Sequence, residues 1–289
     1  MTSIKRILAA TDFSGLGNDA VRRAALLAAR ANAELLIVHA FPRQSALDAA
    51  FGDDDLPARL REAANVNIDA LIEAARAAGA ARARAELAEG SAHRAVADAV
   101  ETFRPDLTVI GAHGKGLLQQ FFLGGTAVRI LSHATGPVLV TRRQAECDYA
   151  HALVAVDLGP RSDTVLRTAL VVAANARVTM LHAYRAPFEA KLRCKDFPEE
   201  DILRYAETES RAAQRNMEAL LGDPELAGLD IARRIVHGDP NSALPDAIRE
   251  LNADLIAVGK HSGSRLGEAV MGSVSRFLAY YSPCDVLVV

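Results

Sequence analysis

Val109-Ile110-Gly111-Ala112-His113-Gly114-Lys115-Gly116, followed shortly by Gly124-Gly125-Thr126-Ala127, is the stretch whose reading decides the fold. Leu107 to Ile110 is a short apolar run closed by a glycine, which reads as a buried strand. Gly114 and Gly116 keep the next turn free of Cβ atoms, so backbone N–H groups can approach a ligand closely. Gly124-Gly125 precedes Thr126-Ala127-Val128-Arg129-Ile130-Leu131, whose apolar spacing is helical. The first N–H groups of a helix lack intrahelical acceptors and sit at the positive end of its dipole. The spacing therefore predicts a phosphate cradle in two pieces, one at the strand end and one at the helix start.

The layout returns 148 residues later. Leu255-Ile256-Ala257-Val258-Gly259-Lys260-His261-Ser262-Gly263 leads to Gly272-Ser273-Val274-Ser275-Arg276-Phe277-Leu278. Each copy then closes on an apolar strand, Val138-Leu139-Val140 in one and Val286-Leu287-Val288 in the other. This is an internal duplication. It divides the chain into domains 1–144 and 145–289, with the polar run 141–149 read as a linker.

Outward from the glycines, strand alternates with helix. Strands are expected over 4–10, 34–40, 83–87 and 107–110 before the last one, and over 151–156, 177–181 and 231–236 in the second copy. Helices fall between them, two of them stopped by Gly79 and Pro105. That alternation predicts an α/β fold: two copies of a five-stranded, mostly parallel open sheet with helices on both faces. Ligands of such sheets sit beyond the strand carboxyl ends, near a topological switch point. Asp12, Ala40 and Gly111 all fall at such ends. The two last strands are short and apolar, and edges of that kind are paired or covered. They are expected to pair with one another inside the chain.

Composition narrows the function. The 289 residues carry a net charge of −3 and no tryptophan, and no basic stripe interleaves with aromatics, so nucleic acid is not an expected partner. No apolar run reaches membrane-spanning length, and the start of the chain enters a strand at once, so a cytoplasmic protein without a membrane partner is expected. Three widely spaced cysteines fit a reducing compartment better than a disulfide framework.

The chain resembles the universal stress proteins, in the form with two domains in tandem. Members that bind ATP carry a glycine, two residues, a glycine, nine residues, then a glycine followed by serine or threonine. Gly111, Gly114 and Gly124 keep those gaps, but Gly125 stands where the hydroxyl residue is expected and Thr126 comes one later. The second copy keeps Gly259 and Gly272-Ser273 and has Ser262 in place of the middle glycine. The first-strand signature matches as Ala10-Thr11-Asp12-Phe13-Ser14, and the second copy keeps only Asp157 of it. The resemblance implies ATP, with or without Mg, held in the first copy by Ala10, Thr11, Asp12, Ala40, Ile110, Gly111, Gly114, Gly124, Gly125 and Thr126. A weaker second site would involve Asp157, Ala183, Val258, Gly259, Ser262, Gly272, Ser273 and Val274. It further implies a stress-response protein acting through partner contacts, a homodimer being among them, and at most slow ATP hydrolysis.

A hydroxyl donating to a phosphate oxygen is worth roughly 1.5–3 kcal/mol, so its loss at Gly125 weakens binding about ten- to hundredfold. The other reading is an interaction or small-ligand module that keeps the glycines as inherited turns. Gly15-Leu16-Gly17-Asn18-Asp19-Ala20 matches a dinucleotide fingerprint, yet no acid follows at the end of the next strand, and it reads as a helix start. The recurring pairs His39/His182 and His113/His261 are explained by duplication without a metal. Gly52-Asp53-Asp54-Asp55 reads as a solvated loop and Cys194 as a loop cysteine.

Overall fold

The computed structural model describes residues 3–43, 56–113, 123–185, 194–195, 197–260 and 271–289. The first half runs β1 (Arg6–Thr11), α1 (Gly15–Ala31), β2 (Glu34–Phe41), α2 (Leu56–Ala77), β3 (Ala83–Glu89), α3 (Ala92–Phe103), β4 (Leu107–Gly111), α4 (Gly125–His133) and β5 (Val138–Thr141). The second half repeats it as β6 (His151–Ala155), α5 (Ser162–Val172), β7 (Arg177–Tyr184), α6 (Glu199–Leu221), β8 (Ile231–His237), α7 (Pro240–Leu251), β9 (Leu255–Val258), α8 (Ser273–Tyr281) and β10 (Asp285–Val288).

All ten strands form one sheet, in the order β3-β2-β1-β4-β5-β10-β9-β6-β7-β8. Pairing inside each half is parallel, as crossover helices require. The halves meet where β5 and β10 pair antiparallel, Val140 against Val286 and Val138 against Val288. Two apolar edges thus cover each other. Central strands such as β6 and β10 are buried along their whole length, whereas β3 and β8, at the outer edges, are mostly half-buried or exposed. One core lies on each sheet face, and each core draws on both halves: Ile7, Leu35 and Val109 share one with Val154, Met180 and Leu287.

The run read as a linker is not a loose tether. Thr141 closes β5 and is fully buried, and Tyr149 is 2% exposed. Asp285, 1% exposed, accepts the Tyr149 hydroxyl at 2.8 Å and the backbone N–H groups of Arg142 at 2.8 Å and Arg143 at 3.3 Å. Arg23 of α1 lies 3.7 Å from the same carboxylate and over the Tyr149 ring. Burial pushes the Asp285 carboxyl above the usual carboxylate range, against the pull of these donors. Arg30 reaches the Val171 and Val172 carbonyls at the end of α5, and Arg142 donates to the Ala279 carbonyl in α8. In the other direction the buried Lys260 ammonium donates to the Ser132 and Ala134 carbonyls that end α4, at 3.0 and 2.7 Å. Burial, with Arg161 nearby, holds the Lys260 amine below its ordinary range.

Candidate functional site

Within each half the strand order is 3-2-1-4-5, so the chain reverses its direction of travel between β1 and β4. A crevice opens beyond their carboxyl ends, as that topology dictates. In the first half it is lined by Ala10, Thr11, Asp12, Ala40, Ile110, Gly111, Gly124, Gly125 and Thr126. Nine of the ten residues expected there from sequence are therefore brought together, and Gly114 lies outside the described residues.

The turn after β1 is built locally. Thr11 Oγ1 accepts the Phe13 N–H at 2.9 Å, and Phe13 takes a left-handed backbone with φ 59. Asp12 Oδ1 accepts from both the N–H and the hydroxyl of Ser14, and Ser14 in turn caps α1 by accepting the Gly17 N–H at 3.1 Å. The second half repeats the geometry, with Leu158 at φ 60 and Asp157 accepting the Gly159 N–H. His39 and His182 hold the same place in this frame: each ring Nδ1 meets the carbonyl at the end of the first strand of its half, Thr11 or Val156, at 2.9 and 2.8 Å. Their recurrence is structural.

Gly111 has a packing reason as well as a place in the crevice. A Cβ there would lie 2.9 Å from the Leu16 carbonyl oxygen and 3.2 Å from the Gly17 nitrogen, so the glycine lets β4 approach the first turn of α1. Gly124 is the N-cap of α4, its N–H bonded to the Ala112 carbonyl at 2.7 Å. Gly125 is the first residue of that helix, exposed, with nothing within 4 Å of where its Cβ would sit. Ala92, at the start of α3, also lines the crevice, and neither α3 nor α4 has an acid in its first turn. Two unneutralised helix N-termini thus open on one space, a favourable arrangement for an anion. His113 stands in the wall with its buried Nδ1 unpartnered among the described residues.

The second crevice is lined by Asp157, Ala183, Val258, Gly259, Gly272 and Val274 of the expected residues. Ser262 lies outside the described residues, and Ser273 is exposed at the first position of α8, outside the lining. Ser275 stands in the wall, buried and bonded to the Lys260 and Gly272 carbonyls. The volumes differ accordingly, about 300 Å³ in the first half and about 110 Å³ in the second. Ser162 stands where the first half has Gly17, and its hydroxyl bonds to Asp157 at 3.1 Å. Leu181 and Leu244 replace Val38 and Val96, Pro240 replaces Ala92, and Ser275 replaces Ala127. The helix ends also carry acids: Asp239 caps α7 through the Asn241 N–H, and Asp163 lies in the first turn of α5.

Sequence reasoning missed Gly17, set aside as a helix start, and it missed Val38, Val96, His113 and Arg161. Position would have found them. The turns leaving β1 and β4 border the crevice, and Val38 points to the same sheet face as Ala40, two residues on.

The sequence profile of the universal stress protein family matches residues 3–142 and again 148–289. The chain belongs to that family. A protein of Staphylococcus aureus strain USA300 that carries the family's name is 29% identical over 155 residues, which is 49% of this chain and 84% of the relative. The crystal structure of a universal stress protein from Archaeoglobus fulgidus superposes with a TM-score of 0.67 at 19% identity, covering 98% of this chain and 97% of that one. A functionally unknown protein from Pseudomonas aeruginosa PAO1 gives 0.65 at 17% identity, covering 99% and 92%. The Archaeoglobus protein therefore shares this fold across nearly the full length of the chain. No helix among the described residues is long and apolar enough to cross a membrane.

Proposed function

We propose that this stress-response protein is cytoplasmic, binds ATP in the first-half crevice, and alters its contacts with protein partners according to occupancy. The observation that carries the reading is the open space beside Gly17, at which the N-termini of α3 and α4 converge without acids in their first turns. The N–H groups of Gly125 and Thr126 and the Thr126 hydroxyl would hold phosphates. Asp12 would face the ribose, and Val38, Ala40 and Ile110 would cover the base. An Mg ion would come with the nucleotide and offset phosphate charge. No catalytic step is assigned to the chain, and ATP turnover is expected to be slow at most.

A nucleotide-free interaction module is the second reading, and it has an observation in its favour: Asp12 already spends Oδ1 on Ser14. Equilibrium dialysis separates the two. Saturable ATP binding, weaker for adenosine by at least tenfold, supports the nucleotide reading. Equal retention of ATP and adenosine, or none of either, favours the module.

A further inference from the structure

A second space of the first half lies next to the crevice, along α3 and α4, and measures about 700 Å³. Small-molecule sites span about 300–1,000 Å³. Its floor is apolar, with Val96 and Ile130 buried and Val100 and Pro137 beside them. Its rim is cationic. Arg94, Arg104 and Arg129 line it, all three exposed, and none of the three guanidinium groups has an ion-pair partner among the described residues. His133 completes the rim, its Nδ1 held by the Arg129 carbonyl at 2.8 Å, and Glu101 is the acid among the described lining residues.

The duplication supplies an internal control. At the corresponding positions, 148 residues on, α7 and α8 carry Ser242, Asn252, Phe277 and Tyr281 in place of Arg94, Arg104, Arg129 and His133. Phe277 and Tyr281 pack ring against ring at 5.1 Å. The same helix pair therefore folds without the cations. Arg104 is also held in a left-handed conformation, φ 50, where the second half uses asparagine at φ 49. Asparagine adopts that conformation several times more readily than arginine, so the first half keeps its guanidinium against backbone preference.

We propose that this groove binds an organic monoanion with an apolar body, of the class of medium-chain carboxylates. The tail lies on Val96, Val100 and Ile130, and the carboxylate takes the planar fork of the arginines at the rim. The inference goes beyond nucleotide binding and does not depend on it, although Val96 and Ile130 form part of both the groove and the crevice.

Calorimetric titration of the full chain with decanoate tests it, with decanol and acetate as the tail and the head alone. One saturable decanoate site is expected, at least tenfold tighter than either control. Removing the rim cations (Arg94→Ser and Arg104→Asn, the residues of the second half, together with Arg129→Gln) should weaken decanoate at least tenfold without lowering the urea midpoint. Glu101→Gln should tighten it, which keeps the test open should the triple variant fold poorly. Absence of saturation, equal affinity for decanol, or decanoate binding indifferent to both variants would overturn the proposal.

Discussion

Gly17 in the first half and Ser162 in the second occupy the same turn of corresponding helices, and the crevices beside them differ by nearly threefold in volume. The strands beneath them end alike, Asp12 and Asp157 turn alike, and Gly124 and Gly272 cap equivalent helices with equivalent backbone bonds. The frame has been kept in both copies. What separates them is a handful of side chains, Ser162, Leu181, Leu244 and Ser275, each larger than its counterpart. A glycine motif therefore records the frame, and the residues between the motifs decide whether there is room for a ligand.

The largest break between the halves is expected at their junction. Asp285 occupies the place of Pro137 and gathers four partners from regions far apart in sequence. Removing one partner of a buried charged network costs about 3–5 kcal/mol, so Asp285→Ala should lower the urea midpoint sharply. Pro137→Ala should cost about 1 kcal/mol or less. Comparable losses at both positions would show that the carboxylate does not hold the junction. The pH dependence carries a sign. Because the folded carboxyl titrates above its unfolded value, the stability it contributes is full below the ordinary carboxylate range and drains as pH rises through the raised value. The stability of wild type relative to Asp285→Asn should therefore fall as pH climbs from acid toward neutral.

A smaller effect distinguishes the glycines within one crevice. Gly111→Ala sets a Cβ against the backbone of α1 and should cost about 1–3 kcal/mol, as overpacking does. Gly125→Ala meets open space at a helix start and should leave the urea midpoint unchanged or slightly raised. Equal destabilisation by the two would mean that close approach of β4 to α1 is not what Gly111 provides.

The smallest expected effect acts on the ligand alone. Gly125→Ser puts a hydroxyl at the first position of α4, in the crevice lining, with nothing in its way. The gain should fall below the roughly 1.5–3 kcal/mol of a charged hydrogen bond by whatever Thr126 already contributes. ATP should bind about tenfold tighter and adenosine no tighter. Equal gains for both would move the phosphates away from Gly124-Gly125.

The sequence makes the frame legible because its punctuation is local. Apolar runs closed by glycine at Gly111 and Gly259 repeat at a fixed interval, and two short apolar last strands announce edges in need of a partner, which β5 and β10 give each other. What it hides is long-range. Tyr149 and Arg142 sit in a polar run that looks like a tether, and only the fold brings them to Asp285. Lys260 resembles one more loop cation until it is seen to cap α4 of the other half. Gly17 looked like the first turn of a helix, which it is. Its second role depends on how much volume Ser162 takes at the same place, and spacing does not encode volume.

The central claim is that one crevice has room for a nucleotide and the other, about a third of its volume, does not. The most direct test is the molar ratio of ATP bound per chain, by calorimetry, in the wild type and in Gly17→Ser, which puts the side chain of the second half into the first, where a Cβ would lie 2.6 Å from Asp12 Oδ1. The account predicts one ATP per wild-type chain and none for the variant. Two per chain, or one that survives Gly17→Ser, would contradict it.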